Sequence, residues 1–403
     1  MKNMLNNRKK VTAVLLLALI FGLGFHTVRE AWGPVRQAAA EAVHGEGTAA
    51  ERLENTVTSV IDTTEEASVS EFYRKSDFID LHGLVQRLMG RRTVEDAGQG
   101  IIAKDSSGKL HWLPEDQDAE GSAEKLIDLY RFCEERDKKF LYFAAPFKII
   151  PGVTELPPSV EDHANPNLDR FLTELEEAGV PYVDYREQLK ELPYPVEELF
   201  FNTDHHWRIE TAFEAAAYAV KILGEMGYPL ESHLDIEDYT QTLLEDYSLG
   251  SQGRRVGRLY AGLDDFNVIT PNFETDYTME LDSWGTWYTR EGSFEEAVMD
   301  QTWLSPELGP ETVRYSCYLG GDHAETRITN HMVDAGDILV IQDSFGLPFS
   351  SFLSTSTHKL TILDMRHYKG SLYDYIEEHD PDVVMFLYNP DVFFDPMFSF
   401  EAH

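Results

Sequence analysis

The segment Thr203-Asp204-His205-His206-Trp207 places a carboxylate two residues before an imidazole. A serine nucleophile needs an imidazole to take its proton, and a carboxylate to fix the tautomer and orientation of that imidazole. Residues two apart point to the same side of an extended segment but to nearly opposite sides of a helix. Asp204 can therefore assist His206 only if this segment is extended and precedes the helix that starts near Ile209. His205 is then expected to point the other way.

The serine placed to use such a pair is Ser344. It follows the apolar run 338–342 in the sequence Asp343-Ser344-Phe345-Gly346. A serine at the carboxyl end of a parallel strand lies where α/β sheets place their sites. Gly346 allows a tight turn, and free backbone N–H groups at the start of the next helix could stabilise an oxyanion. Asp204, His206 and Ser344 thus predict a site for serine-type acyl transfer.

Two other interpretations of the 203–207 segment stay open. Thr203 or Asp204 could be a helix N-cap, with surface histidines and with Trp207 as a core anchor. Asp204, His205 and His206 could instead ligate a metal, with His323 as a more distant fourth candidate. Adjacent histidines rarely converge on one ion without a remote ligand, so neither a metal nor a cofactor is expected.

Helical and apolar segments alternate along most of the chain. Helices are predicted at 122–138, 168–178, 209–223, 347–353 and 371–379, and strands at 140–145, 181–184, 338–341, 359–363 and 383–388. Strands that are apolar on both faces are typical of a parallel sheet covered by helices. The predicted fold is α/β, a three-layer sandwich with a parallel sheet.

Residues 228–333 have a different character. They are rich in Gly, Tyr, Trp and Thr and show little helical periodicity, which indicates a β-rich insertion within the sandwich. Its aromatic residues could form a platform for sugar rings, although aromatic residues occupy the core equally often. The residues concerned are Trp284, Trp287, Tyr288 and Trp303.

The amino terminus resembles a secretory signal. Residues 1–10 contain four basic residues and no acid, and the apolar run Val11 to Phe25 follows. That run is shorter than the ~20 residues that span a bilayer comfortably. Because no small-x-small cleavage site follows it closely, an uncleaved signal anchor is favoured. The expected organisation is an anchor at 1–28, a stalk at 29–70 and a catalytic domain at 71–403, outside the cell membrane.

Charge and cysteine content exclude several classes of function. The chain has 34 Lys and Arg against 71 Asp and Glu, a formal net charge of -37, which makes nucleic acid an unsuitable partner. Its two cysteines, Cys133 and Cys317, exclude a cysteine-rich zinc site and a disulfide scaffold. They are expected to be either one bridge or two separate buried thiols.

The two candidate segments carry a family resemblance. Phe201 to Trp207 resembles the name-giving motif of the DHHW family, and is similar to the Thr-Asp-x-His-Trp block of alginate O-acetyltransferase-type proteins. Asp343-Ser344-Phe345 resembles the nucleophile block of the SGNH hydrolase superfamily. In those DHHW and alginate-type relatives the Asp-x-His pair precedes the serine, as it does here. The resemblance extends from about Glu71 to the carboxyl terminus.

The resemblance implies an activity. By it, Asp204 is the orienting acid, His206 the general base and Ser344 the nucleophile of an acetyl transfer to or from a cell-surface polysaccharide. It also implies that a membrane-bound O-acyltransferase supplies the acetyl group. A carbohydrate acetylesterase with the same three residues is one alternative, and a non-catalytic glycan-binding surface protein is another.

The chain departs from the superfamily in its oxyanion-binding blocks. The separate Gly and Gly-x-Asn-Asp blocks, which supply oxyanion-binding groups in the superfamily, are not recognisable in this sequence. Asn389, after the last strand, is a substitute for the missing Asn, and Arg366 could hold an anionic or carbonyl oxygen. His205 and Trp207 are expected to shape the same site, and Lys148 is a weaker candidate at the same end of the sheet.

Overall fold

The computed structural model describes residues 29, 32, 36, 37, 74–96, 100–283, 285–393 and 396–402. The expected anchor at 1–28 and nearly all of the stalk at 29–70 lie outside these residues. Within the described part of the chain, no helix is long and apolar enough to cross a bilayer. Two compact units are distinguished, Met1–His82 and Gly83–His403. The second contains every candidate site residue.

The predicted helices and the predicted strands are present in the order expected, and further strands lie between them. The helices are α1 Lys75–Leu88, α2 Ala119–Glu134, α3 Ala164–Ala178, α4 Ile209–Glu225, α5 Ser251–Val256, α6 Arg258–Ala261, α7 Gly346–Leu353 and α8 Leu372–His379. The strands are β1 Thr93–Asp96, β2 Gly100–Lys104, β3 Leu110–His111, β4 Lys139–Ala144, β5 Tyr182–Asp184, β6 Tyr239–Ser248, β7 Asp264–Pro271, β8 Tyr277–Ser283, β9 Thr286–Gly292, β10 Glu325–Asn330, β11 Asp337–Gln342, β12 Lys359–Leu363 and β13 Val383–Tyr388. Short 3-10 turns separate many of them.

An eight-stranded sheet with the order β5-β4-β13-β11-β12-β10-β8-β9 forms the centre of the fold. Its first five strands are parallel, as predicted. Side chains alternate between its two faces, so that Ile338 and Val340 pack into one core cluster while Leu339 and Ile341 pack into the other. The fold of the described residues is therefore mixed α/β, with the parallel strands buried at its centre.

The direction of each crossover explains which face each helix covers. The connections β4 to β5 and β12 to β13 run one way along the sheet, whereas β11 to β12 runs the other way. Because such crossovers share one hand, helices on opposite runs must cover opposite faces. Accordingly, α3 and α8 contribute Leu168 and Leu372 to one cluster, and α7 contributes Phe349 to the other.

The region 228–333 contains strands, but not as a separate layer. Strands β8, β9 and β10 extend the main sheet in antiparallel fashion, because β10 pairs with β12. Only β6 and β7 form a two-stranded sheet of their own. This arrangement brings the 228–333 region to the same sheet edge as the candidate serine.

Helix ends and cysteines follow ordinary rules. Gly179 ends α3 in the left-handed conformation with φ 74, which glycine adopts without a steric penalty. Cys133 and Cys317 are both free and buried, so they are two separate thiols rather than a bridge. Burial raises the pKa of Cys133 to about 12, which keeps this thiol protonated.

Candidate functional site

The carboxyl edge of the parallel strands collects the candidate residues. Ser344 follows β11, Arg366 follows β12, Asn389 follows β13 and Lys148 follows β4. Because parallel strands all end at one edge, Lys148 and Asn389 reach the same edge although they are 241 positions apart in the chain. His206 reaches this edge from the loop that precedes α4.

Ser344, His206 and Asp204 form one hydrogen-bonded chain. Ser344 Oγ lies 2.8 Å from His206 Nε2, and His206 Nδ1 lies 2.6 Å from Asp204 Oδ1. The carboxylate thereby fixes the imidazole tautomer that leaves Nε2 free to accept the serine proton. Of the three side chains, that of His206 is the most deeply buried, and Ser344 is half-buried.

The loop that carries Asp204 and His206 is non-helical, but it is not the extended segment expected from the sequence. Residues 202–206 form a series of bends closed by a bridge between Phe200 and Trp207. The side chain of Asp204 folds back to accept the His206 backbone N–H at 3.0 Å. This local turn, rather than strand alternation, brings the carboxylate to the imidazole.

Both carboxylate oxygens of Asp204 are engaged. Oδ1 contacts His206, and Oδ2 accepts the backbone N–H of Ser251 at 2.6 Å. Burial alone would raise the pKa of Asp204, but the His206 and His205 rings and these hydrogen bonds hold it well below its ordinary value. Asp204 is therefore an anion under ordinary conditions.

His205 does not point away from His206, as the sequence pattern had suggested. The two rings lie 3.9 Å apart, and Trp112 stacks on His205 at 4.8 Å. His205 Nδ1 lies 2.9 Å from Ser251 Oγ. Burial and the neighbouring His206 lower the pKa of His205 to about 3, so His205 is a neutral packing partner.

Two buried groups of opposite charge hold the backbone of the same loop. Asp264 accepts the backbone N–H groups of Asn202 and Thr203, each at 2.7 Å. Lys148 Nζ donates to the carbonyls of Asn202 at 3.0 Å and Asp204 at 2.7 Å. Burial lowers the pKa of Lys148 to about 7, although Asp264 acts in the opposite direction. Backbone groups of both kinds are thus satisfied within a buried loop.

Gly250 permits a close approach to Asp204. A Cβ atom built on Gly250 would lie 2.3 Å from the Asp204 Cβ, a separation that real carbon atoms do not reach. The Gly250 N–H also donates to Thr203 Oγ1 at 2.8 Å. Any side chain at position 250 would therefore displace the carboxylate or the loop.

Trp207 and Tyr315 both hydrogen-bond to the backbone of the turn that follows Ser344. The Trp207 indole N–H donates to the Phe345 carbonyl at 3.1 Å, and the Tyr315 hydroxyl donates to it at 3.2 Å. Tyr315 also stacks on His206, with ring centroids 4.1 Å apart. Trp207 is fully buried. Trp207 therefore packs against the serine turn, and its expected part in shaping the site stays a prediction.

Most backbone donors after Ser344 are already used. The N–H of Phe345 donates to Asp343 Oδ1, that of Gly346 to the Asp343 carbonyl, and that of Leu347 to the Ser344 carbonyl. Within the described residues, the Ser344 N–H has no such acceptor. The turn before α7 therefore offers the Ser344 N–H to a developing oxyanion. The sequence had pointed instead to the backbone N–H groups at the start of the helix.

Asn389 and Arg366 are engaged with carboxylates. The Asn389 side-chain amide and backbone N–H both donate to Asp343 Oδ2 at 2.9 Å. Arg366 donates to Asp364 at 2.9 Å and lies 3.2 Å from Asp322. Burial raises the pKa of Asp343 to about 6, while Asn389 and Arg366 oppose that rise.

Asp204, His205 and His206 also satisfy the spacing of a metal site. Their ligand atoms lie within 4.8 Å of one another. All three side chains nevertheless have protein hydrogen-bond partners, namely His206, Ser251 and Ser344. In the described part of the chain, His323 is outside this group.

An open pocket of 440 Å³ lies further along the same sheet edge. It is lined by the end of β8, the residues just before β10 and the loop after β12. Asp322, which contacts Arg366, forms part of its wall. Arg366, one of the candidate site residues, therefore contacts the pocket wall.

Sequence reasoning missed several of these supporting residues. Asp264, Gly250, Ser251 and Tyr315 lie 46 to 111 positions after Asp204, in a region with no recognisable pattern. The glycine next to a serine at 250–251 is a weak sequence signal for their contact with Asp204. For Lys148, the sequence signal is its position after β4.

Two family models match overlapping parts of the chain. Residues 110–245 match the model described as SGNH hydrolase-like domain, acetyltransferase AlgX, and residues 190–362 match the DHHW protein model. The resemblance to both families is confirmed. Both matched ranges contain Asp204 and His206, and the DHHW range also contains Ser344.

Solved structures share the fold. Bacillus cereus PatB1 is 26% identical with a TM-score of 0.61, and the alignment covers 74% of this chain and 99% of that one. A second PatB1 structure, with a sulfonyl adduct, is 24% identical with a TM-score of 0.61, covering 75% and 98%. A DHHW family protein from Eubacterium siraeum is 17% identical with a TM-score of 0.57, covering 77% and 99%. No protein with a curated description is significantly similar to this DHHW-like chain.

Proposed function

We propose that this protein is a serine O-acetyltransferase that acetylates a polysaccharide through an acetyl-Ser344 intermediate. The observation that carries the proposal is the contact of His206 with both Ser344 and Asp204, at 2.8 and 2.6 Å. The similarity to acetyltransferase AlgX supports the choice of acyl group.

In the first half-reaction, Ser344 Oγ attacks the carbonyl carbon of an acetyl donor. Its proton passes to His206 Nε2, and Asp204 stabilises the imidazolium that forms. The Ser344 N–H is placed at the turn where the carbonyl oxygen becomes an oxyanion. Collapse of the tetrahedral intermediate expels the donor's leaving group, which takes the proton from His206.

In the second half-reaction, a sugar hydroxyl attacks the acetyl-serine ester. Its proton passes to His206, a carbon–oxygen bond forms to the sugar, and the bond to Ser344 Oγ breaks. His206 returns the proton to Ser344, which restores the starting state. Water in place of the sugar gives an acetylesterase with the same residues.

The cellular setting forms part of the same proposal. A basic, apolar amino terminus suits a signal anchor, which would keep the domain at the outer side of the membrane, beside a membrane-bound O-acyltransferase that supplies acetyl groups. The family resemblance supports the proposed partner, and the sequence of residues 1–28 supports the proposed location. Fractionation of cells expressing the full chain, followed by protease treatment of intact cells, tests both placement and orientation.

Turnover of p-nitrophenyl acetate by the full chain and by Ser344→Ala tests the chemistry. The parent should release p-nitrophenol, and the variant should show only background release while retaining its circular dichroism spectrum. A sulfonyl fluoride, the reagent class suggested by the adduct in PatB1, should label the parent at Ser344. Equal turnover by parent and variant would remove Ser344 from the reaction.

Transfer and hydrolysis are separated by their products. With an oligosaccharide acceptor present, mass spectrometry should detect an acetylated sugar. Acetate alone, with every acceptor, would identify an acetylesterase. No turnover with any acetyl ester, together with retained glycan binding, would identify a non-catalytic glycan-binding protein.

A further inference from the structure

We infer that the 440 Å³ pocket beside Arg366 is the acceptor site for an uncharged glycan, and that Trp287 forms its outer end. This inference rests on the proposed acetyl transfer, because it concerns the second substrate of that reaction. It names the class of the acceptor, and it places the acceptor on residues other than Asp204, His206 and Ser344.

Strand register places the pocket and Ser344 on one line. Leu363 at the end of β12 pairs with Glu325 at the start of β10, Glu325 pairs with Asp282 in β8, and Asp282 pairs with Trp287 in β9. All of these positions lie at the sheet edge that also carries Ser344. Neighbouring strands are about 5 Å apart, so β8 lies about 15 Å from β11. A ligand in contact with both must be longer than a single sugar ring.

Arg366 joins the serine end of this line to the pocket. Its guanidinium donates to Asp364 and lies 3.2 Å from Asp322, a residue of the pocket wall. Burial raises the pKa of Asp322, whereas the charges of Arg366 and His206 act to lower it. Asp322 thus links Arg366 to the pocket wall.

The pocket has the size and lining of a sugar site. A volume of 440 Å³ lies within the range of about 300–1,000 Å³ that is usual for small-molecule pockets, and exceeds what an acetyl group requires. Hydroxyl groups find both donors and acceptors in its wall. The polar residues concerned are Asp282, Asp322, His323, His367, Tyr368 and Lys369.

Trp287 is placed to stack against a sugar ring at the far end of the line. Its side chain is 45% exposed although it is large and apolar, and Arg327 lies over one face with the charge 4.8 Å from the ring centroid. The flat face of an indole covers the apolar C–H side of a pyranose ring. Tyr288, the next residue, is 54% exposed but points to the other face of β9.

Charge selects among glycans. The pocket wall carries two carboxylates and one lysine, Arg366 is paired with one of these carboxylates, Asp322, and the chain as a whole has a net charge of -37. A polyuronate would be repelled by Asp282 and by this net charge, whereas a neutral chain would not. An uncharged acceptor is therefore favoured over an anionic one.

The test compares acetyl transfer from p-nitrophenyl acetate to neutral and anionic oligosaccharides, using the full chain and three variants. The acceptors are oligomers of N-acetylglucosamine, xylose and guluronate, each as monomer and as pentamer. The variants are Trp287→Ala, Trp287→Phe and the matched control Tyr288→Ala, which removes an equally exposed aromatic ring from the opposite face of the same strand. Formation of the acetyl-enzyme is followed separately, through the burst of p-nitrophenol.

A neutral pentamer should be acetylated better than its monomer, and the guluronate pentamer should be the poorest acceptor. Trp287→Ala should raise the KM for the pentamer about tenfold, as expected for one lost stacking contact. Trp287→Phe should restore most of this loss. The KM for the monomer, the burst amplitude and all values for Tyr288→Ala should stay near those of the parent.

Three results would overturn the inference while leaving the proposed function intact. They are an unchanged pentamer KM in Trp287→Ala, an equal rise in Tyr288→Ala, and a preference for guluronate. Formation of acetyl-Ser344 without acetylation of any oligomer would overturn the inference and would also identify an acetylesterase. By contrast, absence of the burst in the parent would overturn the proposed function itself.

Discussion

Lys148 and Asp264 hold opposite groups of the same loop backbone. The lysine donates to the Asp204 carbonyl at 2.7 Å, and the aspartate accepts the Thr203 N–H at 2.7 Å. Neither side chain reaches Ser344, yet together they fix the loop that carries Asp204 and His206. Their burial makes this positioning stiff, because an unpaired carbonyl or N–H would be costly there.

Lys148→Met should lower kcat for p-nitrophenyl acetate by about ten- to a hundredfold, because small displacements of catalytic groups slow the reaction strongly. The KM should change little. Lys139→Met is the matched control, since Lys139 lies at the other end of β4 and also donates to a carbonyl, that of Met226, at 2.9 Å. Equal effects of the two substitutions on kcat, after correction for stability, would contradict a positioning role for Lys148.

Asp204→Asn should lower kcat by about a thousand- to ten-thousandfold, because an amide no longer stabilises the imidazolium or enforces the reactive tautomer. Steady-state kinetics with p-nitrophenyl acetate measure the loss, and thermal unfolding checks the fold. A loss smaller than about tenfold would mean that His206 does not depend on this carboxylate.

Gly250→Ala should reduce activity through crowding alone. The new methyl group would meet Asp204 Cβ at 2.3 Å, so the carboxylate must move. Gly224→Ala is the control, because a Cβ atom there meets nothing within 4 Å and the residue lies in helix α4. Gly224→Ala should stabilise the protein by about 0.5–1 kcal/mol and leave kcat unchanged. Unchanged kcat in Gly250→Ala would mean that Asp204 is not held tightly.

Asp391→Asn should alter the pH dependence of stability. Burial raises the pKa of Asp391 to about 7, and the neighbouring Asp343 acts in the same direction. Because the folded pKa exceeds the unfolded one, the parent loses stability as the pH rises from about 4 through 7, by up to about 4 kcal/mol from this group.

The asparagine variant lacks that titration. Chemical denaturation at pH 5 and pH 8 should show a stability difference, variant minus parent, that grows with pH. A difference that is the same at both pH values would show that Asp391 is ionised in the folded protein throughout this range.

The sequence sufficed for features that depend on local pattern. Strands β4, β11, β12 and β13 are apolar on both faces, so their position and parallel pairing could be predicted, and the sheet edge that carries Ser344 followed from them. The Asp204–His206 pairing was expected from spacing, although a folded turn rather than an extended segment produces it.

Features that depend on distant partners could not be predicted. His205 stacks on Trp112 and bonds Ser251, and both contacts exist only after the 202–206 loop has been placed by Asp264 and Lys148. Nothing near His205 in the sequence specifies them. The antiparallel extension of the sheet by β8 to β10 was likewise hidden, because its pairing joins segments without a clear periodic pattern.

The central claim is that Ser344 carries the acetyl group. The direct measurement is mass spectrometry of the peptide containing Ser344, after the full chain has reacted briefly with p-nitrophenyl acetate and been quenched with acid. We predict an added acetyl group on Ser344 in the parent. An acetyl group on another residue, or an unmodified Ser344 peptide in an enzyme that turns over the ester with a burst, would contradict the account.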